Sequence, residues 1–312
     1  MTEITVDAGS AGSTLAAVVR SSQAGLAWSA ARRLCSHGQV RVNGQVATDP
    51  ARRLQAGDVV AVDPRGRAAR EPAFDRDAVV YVDRDVAVVD KPAGVLSVPF
   101  EPDDPHTLID RVQSWLRSEE RDPRGTLSAV QRLDKDTTGV LVFARTLAAQ
   151  RSLKAQLREH SVERRYLALV HGALLHARTI ETHLIEDRGD GLKGSYGHFR
   201  RPRAPLPKHA QRALTHVQPL ELVGARARAS LVECTLETGR QHQIRIHLSE
   251  LGHPLLGETV YIRDYPAARL PAPRPMLHAA VLGFTHPRSE QRLRFERPAP
   301  SDFRAALDSL RR

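Results

Sequence analysis

Asp134 is the side chain best placed to do chemistry. It sits in Val130-Gln131-Arg132-Leu133-Asp134-Lys135-Asp136-Thr137-Thr138-Gly139, two residues beyond Arg132 and just ahead of Val140-Leu141-Val142-Phe143-Ala144-Arg145. The apolar, β-branched second half reads as a buried strand, and Thr137, Thr138 and Gly139 supply the turn that feeds it. A carboxylate at such a mouth, with a guanidinium two positions earlier, can serve as nucleophile or base toward a molecule bound in a cleft. A lone Arg-x-Asp more often caps a turn, so the assignment needs more than these two residues. Metal is rejected on spacing. His242, His247 and His253 are five and six residues apart, which does not put them on one helix face, and none is followed directly by Glu as in His-Glu-x-x-His.

The elements that must position Asp134 follow from periodicity and turn chemistry. Residues 14–20 and 29–37 carry helical spacing, the second stopped by Gly38. Residues 39–47 alternate around Asn43-Gly44, the strongest short hairpin signal, and residues 54–62 add a turn and strand. Residues 64–77, with Pro64, Gly66, Pro72 and four arginines, read as a linker. Strands are expected at 79–82 and 86–89, then a loop fixed by Pro92 and Gly94, with Lys91 adding charge beside it. A helix at 106–117 precedes a charged segment reaching 125. Thr146 caps a helix to 160 that buries Leu153 and Leu157 and turns Lys154 and Arg158 outward. In the strand at 162–172, alternation puts Tyr166 on the face of Ala168 and Val170, away from Arg165 and Leu167. Residues 173–212 look irregular, with 189–207 a basic, solvated loop. After Gly239 a helix is expected with Ile244, Leu248 and Leu251 on its buried stripe and Arg245 beside it. Closing strands run through 275–287 and 293–295, and Ser301 or Asp302 caps a last helix.

Bulk properties narrow the class. The chain has 312 residues, 41% hydrophobic and 26% charged, enough for one large core and a small extra domain. A formal net charge of +10 favours a polyanionic partner, although charge alone does not separate nucleic acid from an anionic membrane. Cys35 and Cys234 suit free thiols in a reducing compartment. The start shows no secretory signal and no apolar run is long enough to span a membrane, so the cytoplasm is the expected location.

The run around Asp134 resembles the signature of the RluA-type pseudouridine synthases, His-Arg-Leu-Asp, two variable residues, Thr, Ser or Thr, and Gly, with Gln131 replacing the histidine. Lys91-Pro92-Ala93-Gly94, the strand of Tyr166, and Thr238-Gly239-Arg240-Gln241-His242-Gln243-Ile244-Arg245-Ile246-His247-Leu248 resemble further signatures in the family's order. Residues 1–63 are similar to the α-L RNA-binding domain first described in small-subunit ribosomal protein four, with Arg32, Arg33 and Arg41 on a cationic face. The resemblance implies an α+β fold, with that small domain at 1–63 and a mixed or antiparallel-sheet synthase domain at 78–312.

It also implies conversion of uridine to pseudouridine within RNA, with Asp134, Tyr166 and Arg245 as catalytic residues. Arg245 would pair with Asp134, Tyr166 would pack against the base, and Arg132 would fill the space left by a flipped nucleotide. Lys91 and Arg240 are expected to contact RNA. Attack on the sugar, attack on the base and removal of a sugar proton all remain open to Asp134. The reaction is redox-neutral, so no cofactor is expected. Glycoside hydrolysis usually requires a pair of carboxylates, which a single aspartate does not supply. The appended domain points to large-subunit ribosomal RNA; residues 94–99 also resemble members lacking that domain, some of which take transfer RNA. The rival from another class is a non-catalytic RNA-binding assembly factor, which should have lost at least one of the three residues. No sequence feature argues for an oligomer, so a monomer is expected.

Overall fold

A computed structural model describes residues 2–312 apart from 23–24, 67–73, 101–103, 105, 121–125, 200–204, 225–227 and 264. Half of the linker reading, the end of the charged segment before 125 and part of the basic loop reading therefore lie outside the described residues. Two units are separated by their internal packing, residues 1–74 with 98–112 and residues 75–97 with 113–312.

In the first unit, β1 (Thr2–Thr5), α1 (Leu15–Ser21), α2 (Trp28–Ser36), β2 (Val40–Val42), β3 (Gln45–Val46) and β4 (Val59–Val62) follow in order. The strands form an antiparallel sheet in the order β1-β4-β2-β3. Thr14 Oγ1 accepts the Ala17 N–H at 3.3 Å, starting α1 as its residue type predicts. Asn43 and Gly44 both adopt positive φ, 52° and 79°, which the tight hairpin needs. Leu15, Val19, Ala31, Cys35, Val40, Val60 and Val62 close the core behind the sheet.

The second unit contains β5 (Val79–Val82), β6 (Val86–Lys91), β7 (Ser128–Ala129), β8 (Thr138–Ala144), α4 (Leu147–Arg158) and β9 (Glu163–His171). The helix α3 (Leu108–Glu120) lies between β6 and β7 in sequence. After β9 come β10 (Arg178–Ile185), β11 (Gly194–Ser195), β12 (Gln211–Val223), β13 (Ala229–Leu236), α5 (Gln243–Glu250), β14 (Leu277–Thr285), β15 (Arg292–Glu296) and α6 (Ser301–Arg311). The sheet order is β11-β10-β12-β13-β9-β14-β8-β6-β5, with β15 on β14 and β7 on β8. Only β14 and β8 pair in parallel among these strands, so the sheet is mixed. The expected α+β class, a small N-terminal domain and a large mixed sheet with a few helices, is the observed one. Every residue of β8 is buried, as an uninterrupted apolar run requires at the centre of a sheet. Ala149 and Leu153 of α4 pack on Val140, Val142, Leu282 and Phe284, whereas Lys154 and Arg158 are exposed.

Three expectations change. The stretch 173–212 is not irregular throughout, because β10 pairs with β12 over seven residues. Its sequence Arg-Thr-Ile-Glu-Thr-His-Leu-Ile is mostly polar and only Leu184 is fully buried, which hid the strand. Within 189–207, Gly194 and Ser195 are buried as β11, so that part is not a solvated loop. The last helix is preceded by Pro300 with no side-chain cap, since Asp302 is turned to Arg274 instead. No helix among the described residues is long and apolar enough to cross a membrane.

Gly139 shows why the central motif ends in glycine. Its φ is +112°, and a Cβ there would lie 2.2 Å from Ala279 O on the parallel neighbour. Gly139→Ala is expected to destabilise the second unit by about 2–4 kcal/mol, measured by denaturant unfolding. Wild-type stability in that variant would contradict the close strand approach.

Candidate active site

The turn carrying Asp134 is held from several directions. Ser97 Oγ donates to Leu133 O at 2.8 Å and accepts the Leu133 N–H at 3.0 Å. Arg274 Nη1 donates to Asp136 O at 2.9 Å, while its Nε is paired at 2.7 Å with Asp302 Oδ2 of α6. Thr137 N–H closes the turn on Asp134 O at 3.1 Å.

Lys91 is another of these anchors, and this corrects its reading as an RNA contact. It is 1% exposed, and its Nζ donates to Pro92 O, Val95 O and Lys135 O at 2.9, 2.7 and 2.7 Å. Burial pulls its pKa down to about 7, against the attraction of Asp136 and Asp134. Three carbonyls converge on one ammonium, so the side chain joins the Pro92 loop to the Asp134 turn and has no donor left for phosphate.

The carboxyl of Asp134 is 26% exposed and open on one side. Its Oδ2 lies 3.3 Å from Arg245 Nη1. Arg245 is itself held by Glu258, with Nε to Oε2 and Nη2 to Oε1 both at 2.8 Å, a bidentate pair. The Glu258 side chain is 0% exposed and also accepts the N–H groups of Thr259 and Val260 at 3.0 and 2.9 Å. Burial raises the pKa of Glu258, but Arg245 and the N–H groups of Val260 and Tyr261 outweigh it and hold the carboxyl below its ordinary range. Burial acts to lower the pKa of Arg245, and is outweighed by Glu258 and then Asp134, so the guanidinium is charged.

Arg245 reaches this position because α5 is enclosed. Every residue from Gln243 to Leu248 is buried, whereas Leu251 is only half-buried, so the expected single stripe becomes an all-round contact. Gln243 ties the preceding loop to β12, accepting from Thr238 Oγ1 at 2.8 Å and donating to Leu214 O at 3.0 Å. His242 precedes the helix in the left-handed region, φ 58°, a conformation that costs a non-glycine residue roughly 1–3 kcal/mol. Its Nε2 stands 3.9 Å from Asp134 Oδ1, and its Nδ1 is 2.8 Å from the Tyr261 hydroxyl.

Tyr166 is 8% exposed on the inner face of β9, beside Arg164 and Ala168, while Arg165 points outward to Glu163. Its hydroxyl has no hydrogen-bond partner among the described residues. Burial pushes the phenol pKa up; Arg164 opposes this and the nearby Asp134 carboxylate adds to it. Arg132 is exposed just before the turn, and Gln131 makes no hydrogen bond among the described residues. Arg240 is exposed and donates from Nε to Arg212 O at 3.0 Å. Arg32, Arg33 and Arg41 are exposed in the first unit, Arg41 donating to Gly44 O at 3.1 Å.

The structure thus brings Asp134, Tyr166 and Arg245 together from three distant segments. Glu258, His242 and Tyr261 complete the surroundings and were not foreseen in these roles. The three histidines considered for metal are separately engaged. His247 lies between Thr182 and Thr215, and His253 is bonded to His171 O. Asp83, Asp85 and His286 have closely spaced ligand atoms, but Arg288 is paired with Asp85 and Tyr81 donates to Asp83.

A model of RNA pseudouridylate synthase matches residues 85–250, and one of the S4 domain matches residues 15–60. The chain belongs to the RNA pseudouridylate synthase family and carries an N-terminal S4 domain. It is 38% identical over 238 residues to ribosomal large subunit pseudouridine synthase D of Nitrosomonas europaea, covering 75% of this chain and 65% of that protein. The chain therefore spans less than two thirds of that relative's length. Over 300 residues it is 34% identical to the protein of the same name from Zymomonas mobilis, covering 89% of this chain and 88% of the relative. The solved structure of human RNA pseudouridylate synthase domain containing 4 superposes with a TM-score of 0.59 at 22% identity, covering 75% of this chain and 93% of that one, a likeness of fold.

Proposed function

We propose that this protein isomerises uridine to pseudouridine in RNA, with large-subunit ribosomal RNA as its substrate. The glycosidic C1′–N1 bond is broken, the uracil turns, C5 bonds to the same C1′, and the C5 hydrogen leaves as a proton while N1 takes one up. The observation that carries this reading is the half-open Asp134 carboxylate, aimed by Arg245 at 3.3 Å, beside a buried tyrosine hydroxyl with no partner among the described residues. Asp134 acts on the flipped nucleoside, Arg245 fixes its direction, Tyr166 packs on the base, and Arg132 fills the vacated stack. The neighbouring carboxylate, Glu258, is sealed and bonded to Arg245, so it does not supply the second group of a hydrolase pair.

Large-subunit RNA is preferred over transfer RNA because two similar proteins bear that substrate in their names and the S4 domain offers a second RNA contact. Pseudouridine should disappear from defined positions of large-subunit RNA, and not from transfer RNA, when the gene is deleted. Restoration by the wild-type gene completes the test, and unchanged maps in both RNAs would refute the reading.

The exposed Arg32, Arg33 and Arg41 are proposed to contact phosphate. Replacing all three with alanine should reduce the slope of log affinity against log salt by about 2–3, with the rate at saturating RNA preserved. An unchanged slope would remove these residues from the interface.

A further inference from the structure

The two oxygens of Asp134 are not equivalent. Oδ2 is engaged by Arg245, whereas Oδ1 faces His242 Nε2 across 3.9 Å. That gap is too long for a direct hydrogen bond, yet an oxygen atom about 2.8–2.9 Å from both groups would bridge it. The imidazole is prepared for such a partner. The Tyr261 hydroxyl, 2.8 Å away, is the better proton donor of that pair, so Nδ1 accepts and the ring proton sits on Nε2, facing the carboxylate. Burial lowers the pKa of His242; Asp134 opposes the shift and Arg245 adds to it, leaving a neutral ring with a single N–H on that side. The ring is further packed edge-on to Tyr261, with centroids 5.6 Å apart.

Among the groups a nucleotide of RNA presents, the one that accepts from Nε2–H and donates to Oδ1 through a single atom is a hydroxyl. Inside an RNA strand the 3′ and 5′ oxygens are esterified, so each nucleotide offers one free sugar hydroxyl, at C2′, next to the carbon whose bond is exchanged. We propose that His242 Nε2 and Asp134 Oδ1 together hold the 2′-hydroxyl of the target nucleotide, the imidazole donating to its oxygen and the carboxylate accepting from its hydrogen. His242 then contacts substrate and makes the site selective for ribose, an inference that rests on the synthase reading above.

The test is a cycle between protein and substrate, using the full chain and an oligonucleotide around the mapped uridine, with ribose or 2′-deoxyribose at that one position. Wild type should lose about tenfold to a hundredfold in kcat/KM on the deoxy form, the span of one lost hydrogen bond in a closed site. His242→Phe should lose a similar factor on the ribose form and no more than about threefold further on the deoxy form. His242→Gln, which keeps an N–H, should recover part of the discrimination. Tyr261→Phe, which removes the hydroxyl that sets the tautomer, should show an intermediate loss. Equal rates of wild type on the two sugars, or full discrimination by His242→Phe, would overturn the inference. No conversion of either the all-ribose oligonucleotide or intact large-subunit RNA by wild type would instead overturn the function reading itself.

Discussion

Asp134→Asn is expected to abolish pseudouridine formation, by at least about 10⁴-fold, while leaving RNA affinity within several-fold. The amide is nearly the same size as the carboxylate and keeps an oxygen for Arg245, so the turn held by Ser97, Lys91 and Arg274 should keep its shape. What is lost is the negative charge that a nucleophile or base needs. Tritium release from 5-labelled uridine measures the reaction, and filter binding measures affinity. Full activity in this variant would refute the assignment of Asp134. Loss of binding in parallel with activity would point instead to a role in RNA docking, and would favour the assembly-factor alternative.

Arg245→Met should lower activity by at least about 10³-fold and, unlike Asp134→Asn, should also destabilise the fold by about 3–5 kcal/mol. The second effect comes from Glu258, whose fully enclosed carboxylate would lose its bidentate partner. A double variant, Arg245→Met with Glu258→Leu, removes both charges and should regain most of the stability without regaining activity. The pair also predicts an acid dependence. The folded pKa of Glu258 lies below its ordinary 4.5, so its contribution is complete above about pH 4.5 and is lost as pH falls through the lower, folded value. That portion of the acid destabilisation should be absent in the double variant. Stability equal to wild type in Arg245→Met alone would contradict the buried pair.

Much of this site was readable in the chain because Asp134, Tyr166 and Arg245 lie within dense local signatures. Their neighbours were not, for a physical reason. Glu258 stands thirteen residues beyond Arg245, after the helix and a turn, and nothing local marks a carboxylate there as buried and paired. His242 was weighed only as a metal ligand, since its left-handed backbone and its approach to Asp134 exist only in the folded chain. The Lys91-Pro92-Ala93-Gly94 signature points to a contact with RNA, but nothing local marks this lysine as buried, since its burial depends on carbonyls as distant as Lys135. Strand periods identified β8 and β9 but not β10, whose polar side chains leave the backbone ladder as its main signal.

The placement of β14 bears on when the protein becomes competent during synthesis. This strand, from residues 277–285, lies between β8 and β9, so the strand that follows the Asp134 turn and the strand bearing Tyr166 meet in the sheet through a segment made more than a hundred residues later. Contacts of such long sequence separation form late and slowly. A nascent chain still lacking that strand carries all three proposed catalytic side chains without the strand that joins β8 to β9, so the proposed activity is expected only once residues 277–285 have been made.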